Sequence, residues 1–151
     1  MFNNRGSLFI LAVLGTVASA AALEVSVDAV MMTEPNGREL TAYAADARRL
    51  YAIFKTKGAK SGDKIRGVWI ADDVGTAASP GYKIEEKTIT AEGDIANGEF
   101  SLSKPDAWPL GKYHIDIYVN DELATTVKFE IKSGGKSKKE DEAKEEEESG
   151  D

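Results

Sequence analysis

Residues 108 to 131 read WPLGKYHIDIYVNDELATTVKFEI, and apolar side chains alternate with polar ones on both sides of Asn120-Asp121. A period of two belongs to an extended strand, whose successive side chains point to opposite faces. Asn and Asp tolerate the left-handed backbone of a tight two-residue turn, so the stretch predicts a β-hairpin. In this register Tyr113, Ile115, Ile117 and Val119 point inward from the first arm, and Leu123, Val127, Phe129 and Ile131 from the second. His114, Asp116 and Tyr118 share the outward face.

The same period runs through the chain upstream of the hairpin. Leu23, Val25 and Val27 alternate with Glu24, Ser26 and Asp28 as a first strand with one wet face, and Pro35-Asn36-Gly37 marks a loop. Arg38 to Arg49 is Ala-rich but short and uncapped, which predicts coil or a single helical turn. Leu50 to Lys57 is apolar on both faces and reads as an inner strand. Lys64 to Ala71 (KIRGVWIA) puts Ile65, Gly67 and Trp69 on one face and Arg66, Val68 and Ile70 on the other, Gly67 leaving room for a neighbouring aromatic ring. Asp72 to Gly81 reads as a loop. Tyr82 to Thr90 is laden with Lys and Glu, as suits a sheet edge that must discourage pairing with other molecules. Glu99 to Ser103 is a short strand before Pro105.

Seven short strands, an inward Trp69 on the third, the sequence Trp108-Pro109-x-Gly111-x-Tyr113, the Asn-Asp hairpin and Val127-x-Phe129-x-Ile131 together resemble an immunoglobulin-like or fibronectin type III-like β-sandwich of the kind found in secreted bacterial proteins. The resemblance covers Leu23 to Lys132. It implies an all-β, single seven-stranded antiparallel immunoglobulin-like sandwich, with Tyr113 as a tyrosine-corner residue whose hydroxyl bonds back to the upstream backbone. The chain departs from antibody-type domains in lacking their two cysteines; it has no cysteine at all. Architecture of this kind does not specify activity.

The two ends read differently from the middle. Residues 1–22 have the form of a signal peptide: a short polar start with Arg5, an apolar run from Leu8 to Ala18, and small residues that place cleavage after Ala20 or Ala22. The run falls short of the ~20 apolar residues that span a bilayer, so no integral membrane span is expected after cleavage, and export to the periplasm or the extracellular space is. Residues 133–151 carry Lys136, Lys138, Lys139 and Lys144 against eight acids, with no aliphatic side chain larger than that of Ala143. Such a Lys/Glu-rich segment has nothing to bury, and the expectation is a disordered acidic tail. It reads first as a solubilising extension and second as an electrostatic arm for a partner or a cation. Between the ends, roughly 110 residues suffice for a core that buries well over half of the unfolded chain's surface without disulfides.

Composition narrows the function classes. A formal net charge of −7 with an acidic tail argues against nucleic acid or an anionic membrane as the ligand. With one histidine and no cysteine a zinc site is not expected, and Asp72-Asp73 and Glu92-Gly93-Asp94 lack the spacing of a calcium loop; no metal and no cofactor is expected. His114 and Asp116 share a strand face, but no serine stands in a G-x-S-x-G elbow to use them, so they read as a solvated pair and no catalytic residue is assigned. Trp69 reads as core. Trp108, in a Pro-flanked loop, caps the open end of the sandwich or projects as an interface anchor.

The candidate partner-binding residues are Trp108, His114, Asp116, Tyr118, Val68 and Ile70, with Val68, Ile70 and Tyr118 expected to form an exposed apolar patch. The leading expectation is an exported, non-catalytic interaction or accessory module that binds a protein or cell-envelope partner. A carbohydrate-binding module using Trp108 and nearby loop residues is the alternative, and a hydrolase the remote one.

Overall fold

A computed structural model of the chain describes residues 25–93 and 97–134. The expected signal peptide and all of the expected tail beyond Gly134 lie outside the described residues. The strands are β1 (Ser26–Met32), β2 (Ala42–Ala44), β3 (Arg49–Lys57), β4 (Lys64–Asp73), β5 (Tyr82–Thr90), β6 (Gly98–Ser103), β7 (Gly111–Val119) and β8 (Glu122–Lys132). There is no helix among the described residues. None of them therefore forms a helix long and apolar enough to cross a membrane.

Two sheets face each other: a three-stranded sheet in the order β1-β3-β6 and a five-stranded sheet in the order β2-β8-β7-β4-β5. Strands one, three and six on one side, and the last hairpin paired with strand four on the other, is the partition of an immunoglobulin-like sandwich; β5 extends the second sheet beyond β4. The apolar alternation dictates which faces meet. Leu50, Ala52 and Phe54 of β3 and Ile65, Trp69 and Ala71 of β4 are buried with Tyr113, Ile115, Ile117 and Val119 of β7. At the centre Phe129 stacks on Tyr113 at 5.5 Å between ring centroids and takes the edges of Trp69 and Tyr43 at 6.0 and 5.8 Å. Offset and edge-to-face contacts of this kind add to simple burial because ring edges are positive and ring faces negative.

Gly67 meets its expectation through Phe100: a Cβ at Gly67 would stand 2.8 Å from that ring, too close for any side chain. Tyr113 does so through a 2.6 Å bond from its hydroxyl to the carbonyl oxygen of Pro109. β5 lies at a sheet edge, as its charge pattern predicts.

Three expectations are corrected. Arg38 to Arg49 contains no helical turn. It carries β2, a three-residue strand that pairs in parallel with Glu130, Ile131 and Lys132, so the described strands number eight and the sheet is not purely antiparallel. Three paired residues are too few to show a period; what holds them is Tyr43, buried against Phe129, with its hydroxyl donating to the carbonyl of Met32 at 2.5 Å. Leu123 does not point inward and is 53% exposed. The register between β7 and β8 shifts between Ile117, opposite Thr125, and Tyr118, opposite Leu123, so Ala124 is an inserted residue. One inserted residue moves every side chain beyond it to the other face. Val68 is 6% exposed, so it cannot contribute to an exposed patch: its outward side chain lies between Asp116 of β7 and Glu86 of β5.

Candidate functional site

The candidate residues of β4 and β7 converge on one surface, the outer face of the five-stranded sheet, and the turn of the last hairpin fixes its far end. Asn120 and Asp121 both adopt positive φ, 48° and 68°, as a two-residue hairpin turn of matching twist requires. The Asn120 amide is spent on the start of β4: its Oδ1 accepts from the Lys64 backbone N–H at 2.9 Å, and its Nδ2 donates to Asp63 Oδ1 at 3.0 Å. That bond from Asn120, aided by the backbone N–H of Lys60, holds the Asp63 carboxyl below its ordinary range. The turn is thereby anchored to the start of β4.

Beside the anchored turn the guanidinium of Arg66 lies 4.3 Å from the centre of the Tyr118 ring. Arg66 also reaches Asp121 at 3.4 Å and Glu86 at 3.9 Å. Glu86 is drawn below its ordinary range chiefly by its hydrogen bond and charge interaction with Lys83, with Arg66 adding to this. Leu123 stands directly across from Tyr118 on β8. Tyr118 is half-buried under this arrangement, and the aliphatic side chain of Leu123 is left facing solvent. Ile70, half-buried, sits further along, between His114 and Lys83 on its two neighbouring strands.

His114 occupies the middle of the face and is not a solvated partner of Asp116. Its side chain is 16% exposed, its Nδ1 lies 2.7 and 2.9 Å from the two carboxylate oxygens of Asp72, and its Nε2 lies 3.4 Å from Asp116 Oδ2. Asp116 in turn accepts a hydrogen bond from the Thr126 hydroxyl. Asp72 reaches the ring because the β4–β7 register skips it, passing from Ala71 opposite Tyr113 to Asp73 opposite Lys112. A bulge of this sort re-aims the inserted side chain. The result is a row Asp72–His114–Asp116–Thr126 in which both imidazole nitrogens face carboxylates. A general base needs a ring nitrogen directed at the hydroxyl or water it would deprotonate, and here the Thr126 hydroxyl is directed at Asp116. The two carboxylates lie at different nitrogens of the ring, and no group of three His, Cys, Asp or Glu side chains placed to hold a metal ion occurs among the described residues.

Trp108 lies apart from this face, at the end of the sandwich where β7 begins. It is 5% exposed, its Nε1–H donates to the carbonyl oxygen of Ala47 at 2.6 Å, and its own N–H donates to that of Ala45 at 2.8 Å. It caps the sandwich and ties the segment after β2 to the approach of β7. A buried ring offers no stacking platform to a sugar. The exposed aromatic at that end is Tyr82, 55% exposed, at the mouth of a small apolar cleft of about 160 Å³ lined by Ala78, Pro109 and Tyr113.

Sequence reasoning therefore brought Tyr118, Ile70, His114 and Asp116 onto one face, and it missed Arg66, Asp72, Leu123 and Thr126. Arg66 was legible, two positions from Val68 on the same strand. Asp72 and Leu123 were not, because each owes its position to a register shift that alternation cannot reveal.

No protein-family model matches the sequence, and no curated protein matches it. Among solved structures, the chain is similar to an immunoglobulin-like protein from Pseudomonas aeruginosa, at 13% identity and a TM-score of 0.49, over 74% of this chain and 99% of that one. It is also similar to an alkylpurine DNA glycosylase of Pseudomonas fluorescens bound to DNA containing an abasic site analogue, at 13% identity and a TM-score of 0.43. That match covers 73% of this chain and spans 31% of the glycosylase.

Proposed function

We propose that this domain is a non-catalytic interaction module, exported by residues 1–22, that holds a protein partner against the outer face of its five-stranded sheet. The observation that carries the reading is the exposed Leu123 beside Tyr118 and Arg66. Aromatic residues and Arg are enriched where protein interfaces concentrate their binding energy, and a leucine turned outward by a bulge is ready to be buried without any rearrangement. The strands and the anchored turn hold these groups rigid, which lowers the ordering cost of association. Asp121 and Glu86 supply a charged rim. The His114 row gives the middle of the face a polar floor with its partners already in place.

The test is site-specific photo-cross-linking in the native host. A photoreactive residue at Leu123 should yield a discrete cross-linked protein, and one at Lys57, on the other sheet, should not. Tyr118→Ala should weaken the recovered complex by about 2 kcal/mol, roughly thirtyfold, as loss of an interface anchor does. Equal cross-linking at both positions, or none at Leu123, would overturn the reading.

A further inference from the structure

The outer face has a second half, at the end where β7 begins, and its chemistry differs from that of the Tyr118–Leu123 half. A groove of about 800 Å³ runs over β7 and β8 there, with Thr41 at one rim, His114 and Thr126 on its floor, and Lys112, Lys128 and Lys132 around it. All three lysines are exposed. The two acids in the groove are already engaged, Glu130 with Lys132 at 3.0 Å and Asp72 with His114. Among the described residues Lys112 and Lys128 have no ion-pair partner, and the three lysines outnumber the two acids of the groove by one positive charge. In a chain of formal charge −7 such a site is against the trend.

We propose that this groove is the docking site of the chain's own acidic segment, Glu140 to Glu148. The described residues end at Gly134, two residues beyond Lys132 at the groove's rim, with Ala44 of β2 alongside. An extended chain covers at most ~3.5 Å per residue, so Glu140 reaches about 20 Å from Gly134 and the acids after it further. Lys136, Lys138 and Lys139 serve as the spacer, and the seven acids among residues 140–148 follow. Tethering raises the local concentration of the segment to the millimolar range for a short flexible linker, which is enough for a contact of a few charges that would be negligible between separate molecules. The contact is electrostatic and exposed, so it weakens as salt shortens the Debye length from ~30 Å at 0.01 M to ~3 Å at 1 M. It covers the His114 half of the face and leaves Tyr118 and Leu123 free, and it does not depend on the function proposed above.

The absence of cysteine allows a direct test on the full chain, because Ala143→Cys places a single nitroxide label within the acidic segment. At about 0.01 M salt the label should broaden the amide signals of Lys112, His114, Thr126 and Lys128 and spare those of β1 and β6. The effect should vanish at about 1 M salt and in Lys112→Gln/Lys128→Gln, whose substituted side chains are exposed and leave the fold intact. Replacing Glu145, Glu146, Glu147 and Glu148 with Gln in the labelled chain should reduce it severalfold. Broadening spread evenly over the surface would overturn the proposal. So would broadening that persists when labelled chains are mixed with isotope-enriched unlabelled ones, since the groove would then be serving a second copy.

Discussion

Single side chains on the outer face carry more of the stability than a wet strand face would. Asp116 is 13% exposed, accepts from Thr126 and stands beside the Nε2 of His114. Asp116→Ala leaves a hydroxyl and a ring nitrogen facing a void, and hydrogen bonds to charged groups are worth about 1.5–3 kcal/mol. The expected loss in urea-melt stability is of that order. Lys128→Ala, two positions from Thr126 on β8 but exposed and unpaired, should stay within about 0.5 kcal/mol. Equal effects for the two would show that the row through His114 contributes nothing to folding. In the core, Gly67→Ala puts a methyl group 2.8 Å from the Phe100 ring. The ring is itself stacked on Phe54 at 5.1 Å and has little room to retreat. Overpacking of this kind costs about 1–3 kcal/mol, and calorimetry on the variant measures it.

At the scale of elements, the last hairpin shows how far alternation carries and where it stops. Its first arm obeys the period from Tyr113 to Val119, and the inward row is fully buried. Its second arm obeys it from Val127 to Ile131 and then loses it at the bulge, so Leu123 exchanges the core for the surface. The two arms therefore predict opposite outcomes for similar changes. Ile117→Asp buries a carboxylate without a partner at a position that is 0% exposed, a cost of several kcal/mol against a total of about 5–15 for a domain, and cooperative unfolding should be lost. Leu123→Ser should shift the unfolding midpoint by less than about 0.5 kcal/mol. A large loss on Leu123→Ser would put that side chain in the core and remove the bulge. Much of the element inventory was legible for the same reason: Gly67, Tyr113, the Asn-Asp turn and the charged edge strand each state a local requirement in the residue itself. β2 states none. Its position is set by the free edge of β8 and by the pocket that receives Tyr43, both of which exist only once the other strands are assembled.

Over the whole molecule, two tyrosines with rings buried in the core and hydroxyls bonded to backbone carbonyls set an upper pH limit. Burial raises the phenols of Tyr43 and Tyr113 above the ordinary value of 10.0. Both phenols act as donors to carbonyl oxygens, and a phenolate has no proton to donate. The folded state therefore keeps these protons where the unfolded chain releases them. Stability rises with pH only where the unfolded state binds more protons, so here it falls. The contribution of the two groups is intact below their unfolded value near 10 and is lost as pH rises through their higher folded values. A denaturation series should accordingly show stability insensitive to these residues up to about pH 9 and declining above about pH 10. Tyr43→Phe should cost about 0.5–1.5 kcal/mol at neutral pH, by leaving the Met32 carbonyl without its donor, and should make the alkaline decline shallower. An alkaline decline of unchanged slope in Tyr43→Phe/Tyr113→Phe would mean that groups other than these two set the limit.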